Sequence, residues 1–333
     1  MGKRAAGWLG GWPFFVYGWR EVFVPLVILL HNQHGPSLAV AGLAVAAARL
    51  GGWLVTKTSL RRPLSEASLL CGIALLFLGL APEEGPISLL LWFLFGLGWP
   101  ALHAGLSQRL WQGWAGLAVL VLGMVVAAPL ARGPGTWVIA AGCLLLAWQA
   151  RQAPVQEAVA DEPDPAAGQQ SWTAFLFSLA YLTWVWLLPI RLSEETVAPE
   201  VFGGVMAAGW LARGLSSRHA RRGVAVGRLT VTAAAVLLVP ALAVIALASH
   251  PWLVAAAFVA FSALLGVVSA QPGIARGEQG QLPGARQALG EWVGPLLGAG
   301  LVLAAGPAAG FAAAALAAGA LAWSSLRREQ TKA

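Results

Sequence analysis

The chain alternates between long apolar runs and short breaks rich in proline, glycine and charge. The runs approach the roughly 20 residues that an α-helix, rising about 1.5 Å per residue, needs to cross hydrocarbon. They predict twelve spans, at 11–30, 37–56, 65–81, 87–107, 113–131, 135–150, 172–190, 201–217, 226–247, 252–270, 286–305 and 307–325. The tightest dividing lines fall near Gly133 and Gly306. A transmembrane barrel would show short alternating segments with a polar inner face, and this pattern does not. The expected fold class is an all-α integral membrane bundle.

Composition agrees with that pattern. Hydrophobic residues make up 58% of the chain and charged residues 11%, against about 25% charged in soluble domains. The net charge of +7 would suit nucleic acid if it were concentrated, but the basic residues stand in short clusters between apolar runs, where they act as topology signals. With the N-terminus in the cytoplasm, 16 Lys and Arg fall on the inner side and two, Arg132 and Arg191, on the outer side. Arg20, Arg49 and Arg213 stay inside spans. That asymmetry predicts an even number of spans and both termini in the cytoplasm, with the cytoplasmic (inner) membrane as location. Lys3 and Arg4 precede an apolar stretch reaching about Leu30 with no small-x-small cleavage site, so a retained first span is expected. Cys71 and Cys143 both lie in apolar runs, where no structural disulfide is expected.

Between Ala150 and Ser171 the sequence turns polar, acidic and proline-containing, and the chain's two aspartates, Asp161 and Asp164, lie there. Such a stretch lacks the apolar surface for a core and reads as a flexible cytoplasmic linker. The predicted domains are a six-helix bundle over 1–150, a linker over 151–171 and a second six-helix bundle over 172–333. The halves echo each other. Pro25 and Pro189 stand 164 residues apart, as do Arg49 and Arg213, and each arginine precedes a basic turn, Arg61-Arg62 or Arg221-Arg222. Repeats related by an axis along the membrane normal suit alternating access about a midplane site.

This plan resembles the major facilitator superfamily. The family's loop after span two reads G-x-L-A-D-R-x-G-R-R, with a degenerate copy after span eight. Here Thr56-Lys57-Thr58-Ser59-Leu60-Arg61-Arg62 and Ser216-Ser217-Arg218-His219-Ala220-Arg221-Arg222 take those places. Both keep the basic residues and lack the aspartate. Span eleven, Leu289-Gly290-Glu291-Trp292-Val293-Gly294-Pro295-Leu296-Leu297-Gly298, is similar to the family's G-x-x-x-G-P-x-x-G segment. The resemblance implies a major-facilitator-like pair of pseudo-symmetric bundles with gating residues among Arg49, Arg213, Glu291, Arg61, Arg62, Arg218, Arg221 and Arg222.

Ionisable groups inside a membrane cost several kcal/mol unless paired or hydrated, which makes them functional candidates. Arg20 and Glu21 stand mid-span in Trp19-Arg20-Glu21-Val22-Phe23-Val24-Pro25. Glu21 and Pro25 share a helix face, which sets the proline-loosened turn beside the carboxylate. Two roles stay open for Glu21: binding protons or cationic substrate, or neutralising an arginine, for which Arg49 is better placed than adjacent Arg20. The resemblance brings spans two and eleven together at the cytoplasmic gate, where Arg49 and Glu291 would pair. The alternative for Glu291 is the helix dipole at the start of its span. His103 either carries a proton or bonds a neighbouring helix. His31 and His34 flank one turn, and no metal site is expected from two loop histidines.

Of 17 tryptophans, Trp8, Trp12, Trp111, Trp114, Trp137, Trp148, Trp172, Trp252 and Trp323 lie near span ends, where indole belongs. Trp19, Trp99, Trp184, Trp186 and Trp210 lie deeper. The resemblance has spans one, four and seven lining the cavity, so Trp19, Trp99 and either Trp184 or Trp186 would form an aromatic wall suited to an amphipathic or cationic organic compound; lipid-facing packing is the alternative. No P-loop, H-E-x-x-H, paired C-x-x-C or G-x-S-x-G occurs. The reading is a monomeric secondary transporter, not an enzyme, without cofactor or nucleic-acid partner. Its partners are a small molecule, protons and the bilayer, with efflux as the direction. Uptake of a metabolite and a non-transporting sensor or assembly role are the alternatives.

Overall fold

In hydrocarbon no water is present to bond exposed N–H and C=O groups, so each crossing segment satisfies its own backbone by forming a helix. The computed structural model describes residues 38–58, 63–80, 85–110, 118–125, 135–152, 167–193, 199–222, 228–270, 274 and 284–330. Every regular element among them is helical. In chain order these are α1 (Leu38–Lys57), α2 (Leu64–Leu78), α3 (Pro86–Leu110), α4 (Gly135–Gln152), α5 (Ala167–Leu182), a 3₁₀ turn (Val185–Leu187), α6 (Leu188–Ser193), α7 (Pro199–Arg222), α8 (Arg228–Leu247), α9 (Pro251–Ser269), α10 (Ala285–Ala305) and α11 (Pro307–Gln330). Residues 118–125 are helical as well. The first predicted span, 11–30, lies outside the described residues, as do the ends of the fifth, 113–131.

Among the described residues, α1, α3, α8, α9, α10 and α11 each contain a stretch long and apolar enough to cross a membrane, and Leu64–Leu78, Trp137–Arg151 and Trp172–Leu187 are shorter apolar helices. The chain is a multi-pass membrane protein. Its outer surface carries exposed Leu247, Leu303 and Leu316, as a surface solvated by lipid tails requires. Trp148, Trp252 and Trp323 stand exposed toward helix ends. The helix at the eighth predicted span, α7, runs 24 residues to Arg222 and is less apolar than the others. It carries Arg213, Arg218, Arg221 and Arg222.

Packing is set by small residues, as expected where lipid tails compete equally for large ones. α1 packs on α3 and α10, α2 on α3 and α4, α5 on α10 and α11, α7 on α9, and α8 on α9 and α11. A Cβ on Gly96 of α3 would collide with the Ala48 carbonyl of α1, and one on Gly266 of α9 with the Arg213 carbonyl of α7. Ala48 precedes Arg49, so each half of the chain pins an arginine-bearing helix through a glycine at nearly the same point. The predicted turn near Gly306 is a single residue at φ +82°, a conformation that glycine adopts without strain, and Pro307 opens α11.

The seventh predicted span differs from expectation. It is interrupted at Thr183–Leu187 rather than continuous. Pro189 has no N–H, and its ring would strike the carbonyl four residues back, that of Val185. The chain answers with a tighter turn in which Leu187 N–H donates to Trp184 O at 2.7 Å. Below the break, Thr183 Oγ1 donates to Leu179 O at 2.6 Å. Above it, Arg191 Nη2 donates to Ala248 O at 2.7 Å and Nε to Ile245 O at 3.4 Å, serving carbonyls at the C-terminal end of α8.

Candidate functional site

Gly42, Arg49 and Trp53 are spaced by seven and four residues and therefore share one face of α1. That face meets α10, so helices from before and after the acidic linker form a seam. At one end a Cβ on Gly42 would lie 2.7 Å from Ala299 Cβ. In the middle Arg49 Nη1 donates to Glu291 Oε2 at 2.7 Å, with side chains 23% and 20% exposed. One turn further, Trp53 and Trp292 stack with centroids 5.4 Å apart and planes at 25°. Lys57 Nζ caps this layer 4.9 Å from the Trp53 ring centre.

Arg49 and Glu291 are thus brought together. A charge-assisted bond in a low-dielectric setting offsets much of what either ion would cost alone. Glu291 is the seventh residue of α10, beyond the first turn in which a helix dipole acts, so the pair accounts for it better than the dipole does. Pro295, four residues on, supplies no N–H to the Glu291 carbonyl and loosens that turn.

The other predicted residues are distributed differently. Arg213 lies among aromatic rings, its guanidinium carbon 5.9 Å from Phe177, 5.6 Å from Tyr181 and 5.6 Å from Trp210. Trp99 is buried and stacks on Phe95 at 5.7 Å, with His103 continuing the stripe 5.9 Å from Trp99. Arg218 is half-buried on α7, and Arg221 and Arg222 occupy its last turn. Trp19, Arg20, Glu21, Arg61 and Arg62 lie outside the described residues.

Trp184, a candidate for the aromatic wall, is fully buried against Phe258, Phe261 and Phe311, with centroids at 6.4, 5.0 and 5.8 Å. Those rings belong to α9 and α11, so Trp184 is a core residue within the later part of the chain. Trp186 takes the inter-segment position instead. Its ring carbons lie 3.0 and 3.1 Å from a Cβ built on Gly42, and its Nε1 lies 3.2 Å from one built on Gly298. The Trp53–Trp292 layer was not singled out from the sequence, although Trp53 is one turn from Arg49 and Trp292 adjoins Glu291.

No family model matches the chain, and no curated protein matches it. Solved structures do. The chain aligns with the crystal structure of the human organic anion transporter MFSD10 (TETRAN) at TM-score 0.60 and 15% identity, over 94% of this chain and 96% of that one. It aligns with a bacterial homologue of the iron transporter ferroportin, solved in an outward-facing state with soaked iron, at TM-score 0.58 and 14% identity, over 98% and 99%. At such identity the likeness is one of fold. This chain shares its helical fold with these two structures, and α1 and α10, which meet at the seam, stand before and after the acidic stretch of the sequence.

Proposed function

We propose that the chain is a secondary active transporter that moves a small amphipathic organic molecule across the cytoplasmic membrane by alternating access. Twelve spans form two six-helix halves, 1–150 and 172–333, joined by the cytoplasmic linker, with both termini in the cytoplasm. The direction is efflux and the driving ion the proton, with Glu21 as the carboxylate that exchanges it. The observation that carries this reading is the Arg49–Glu291 ion pair, because within the α1–α10 seam it is a contact that can break where the proposed halves would separate. The paired close approaches at Ala48 and Arg213 support two halves built alike. Folds shared with an organic anion transporter and an iron transporter homologue support transport without choosing the cargo.

The test uses purified protein in liposomes and tolperisone, an aryl ketone carrying a tertiary amine, under an imposed pH gradient. Gradient-dependent movement that Glu21→Gln abolishes is the expected result. Equal movement in protein-free liposomes would remove the reading. A thermal-shift screen finds other cargo, since a binder at 100 times its Kd raises stability by about 2.7 kcal/mol.

A further inference from the structure

The break at Thr183–Leu187 leaves two indole N–H donors enclosed. Among the described residues Trp184 Nε1 and Trp186 Nε1 meet no hydrogen-bond acceptor, and the two residues are 0% and 2% exposed. A buried donor without an acceptor costs on the order of 1–3 kcal/mol, a cost that an apolar ring does not carry.

The two differ in what surrounds them. Trp184 is closed in by Phe258, Phe261 and Phe311. Trp186 lies between Gly42 of α1 and Gly298 of α10, with its Nε1 on the Gly298 side. Gly298 also lies hard against the Thr183 carbonyl, so irregular backbone and the unused donor share one recess. Irregular backbone within a crossing segment is characteristic of transporter sites, because helical bonding cannot use all of its polar groups. Trp186 thus adjoins the α1–α10 contact, whereas the rings around Trp184 belong to α9 and α11.

We infer that Trp186 is a specificity-determining contact, whose indole N–H donates to an acceptor oxygen, a carbonyl or its equivalent, on the transported compound when the seam opens. The aromatic face packs on the compound's apolar part, and the compound class narrows from amphipathic organics in general to those with an acceptor beside an aromatic or aliphatic body. This rests on the transport reading above.

The experiment compares binding of tolperisone with that of its deoxo counterpart, in which the ketone is a methylene, to the purified full chain. Wild-type protein is expected to favour tolperisone about tenfold, the scale of one hydrogen bond to a buried donor. Trp186→Phe is expected to erase the preference, and Trp184→Phe to keep it. Replacing the Trp186 indole by benzothiophene, which keeps the ring size and loses the N–H, gives the same loss if the phenylalanine variant folds poorly. Equal binding of both compounds to wild type, or a preference that survives loss of the N–H, overturns the assignment. The two readings fail separately. A preference that depends on Trp186 without movement across liposomes sinks transport, and movement with no such preference sinks only the contact.

Discussion

Arg49 and Glu291 each stand inside an apolar helix, and a single substitution at either leaves the other ion uncompensated. Arg49→Glu or Glu291→Arg is expected to cost about 2–3 kcal/mol, read as a fall in the thermal midpoint and loss of transport. The double exchange should recover most of the midpoint. Failure of the exchange to restore what each single variant loses would mean that the contact carries no coupling. At this scale the sequence was informative about charge, because an ion in hydrocarbon is conspicuous in a chain with so few of them. It was poor on aromatics. Trp184 and Trp186 are two residues apart in the same predicted span, and only the break at Thr183 decides which one turns to the core and which to the seam.

The elements were legible as lengths and ends, because hydrocarbon selects for composition over a fixed distance. Facing was less legible. A helix surrounded by lipid and other helices is apolar on every side, so no polar stripe marks its contacts. The small residues give the clue. Gly290, Gly294 and Gly298 recur every fourth position, and they pack on α5 and the break beyond it, at Phe175, Leu182 and Thr183. Gly298→Leu is expected to destabilise by roughly 1–3 kcal/mol or more through overpacking, seen as loss of monodisperse protein on size exclusion, whereas Gly300→Leu, with open space around it, should be tolerated. Wild-type behaviour of Gly298→Leu would show that the α5–α10 packing is not as tight as described. The predicted seventh span runs unbroken through Pro189, so neither the break nor the tie from Arg191 of the outer piece to the end of α8 is legible in the sequence. Arg191→Ala should therefore loosen that piece, measurable as faster hydrogen exchange across 188–193 with little change in α10.

For the molecule as a whole, the uneven spread of basic residues over the loops predicts an orientation without any contact being known, since the retention of Lys and Arg in the cytoplasm acts on loops and not on packing. A fluorescent protein fused after Ala333 should fluoresce, and alkaline phosphatase fused there should be inactive; the reverse would invert the topology. What composition does not contain is how the two parts of the chain meet, because a seam is a property of two surfaces far apart in sequence. Arg49 and Glu291 are 242 residues apart, and the seam they define joins helices far apart in the chain. Its most direct test places cysteines at Trp53 and Trp292, with Cys71 and Cys143 changed to alanine, and joins them by a reversible thiol crosslinker in reconstituted protein. Tolperisone movement should stop on crosslinking and return on reduction. Movement by the crosslinked protein at the unlinked rate would contradict alternating access through this seam.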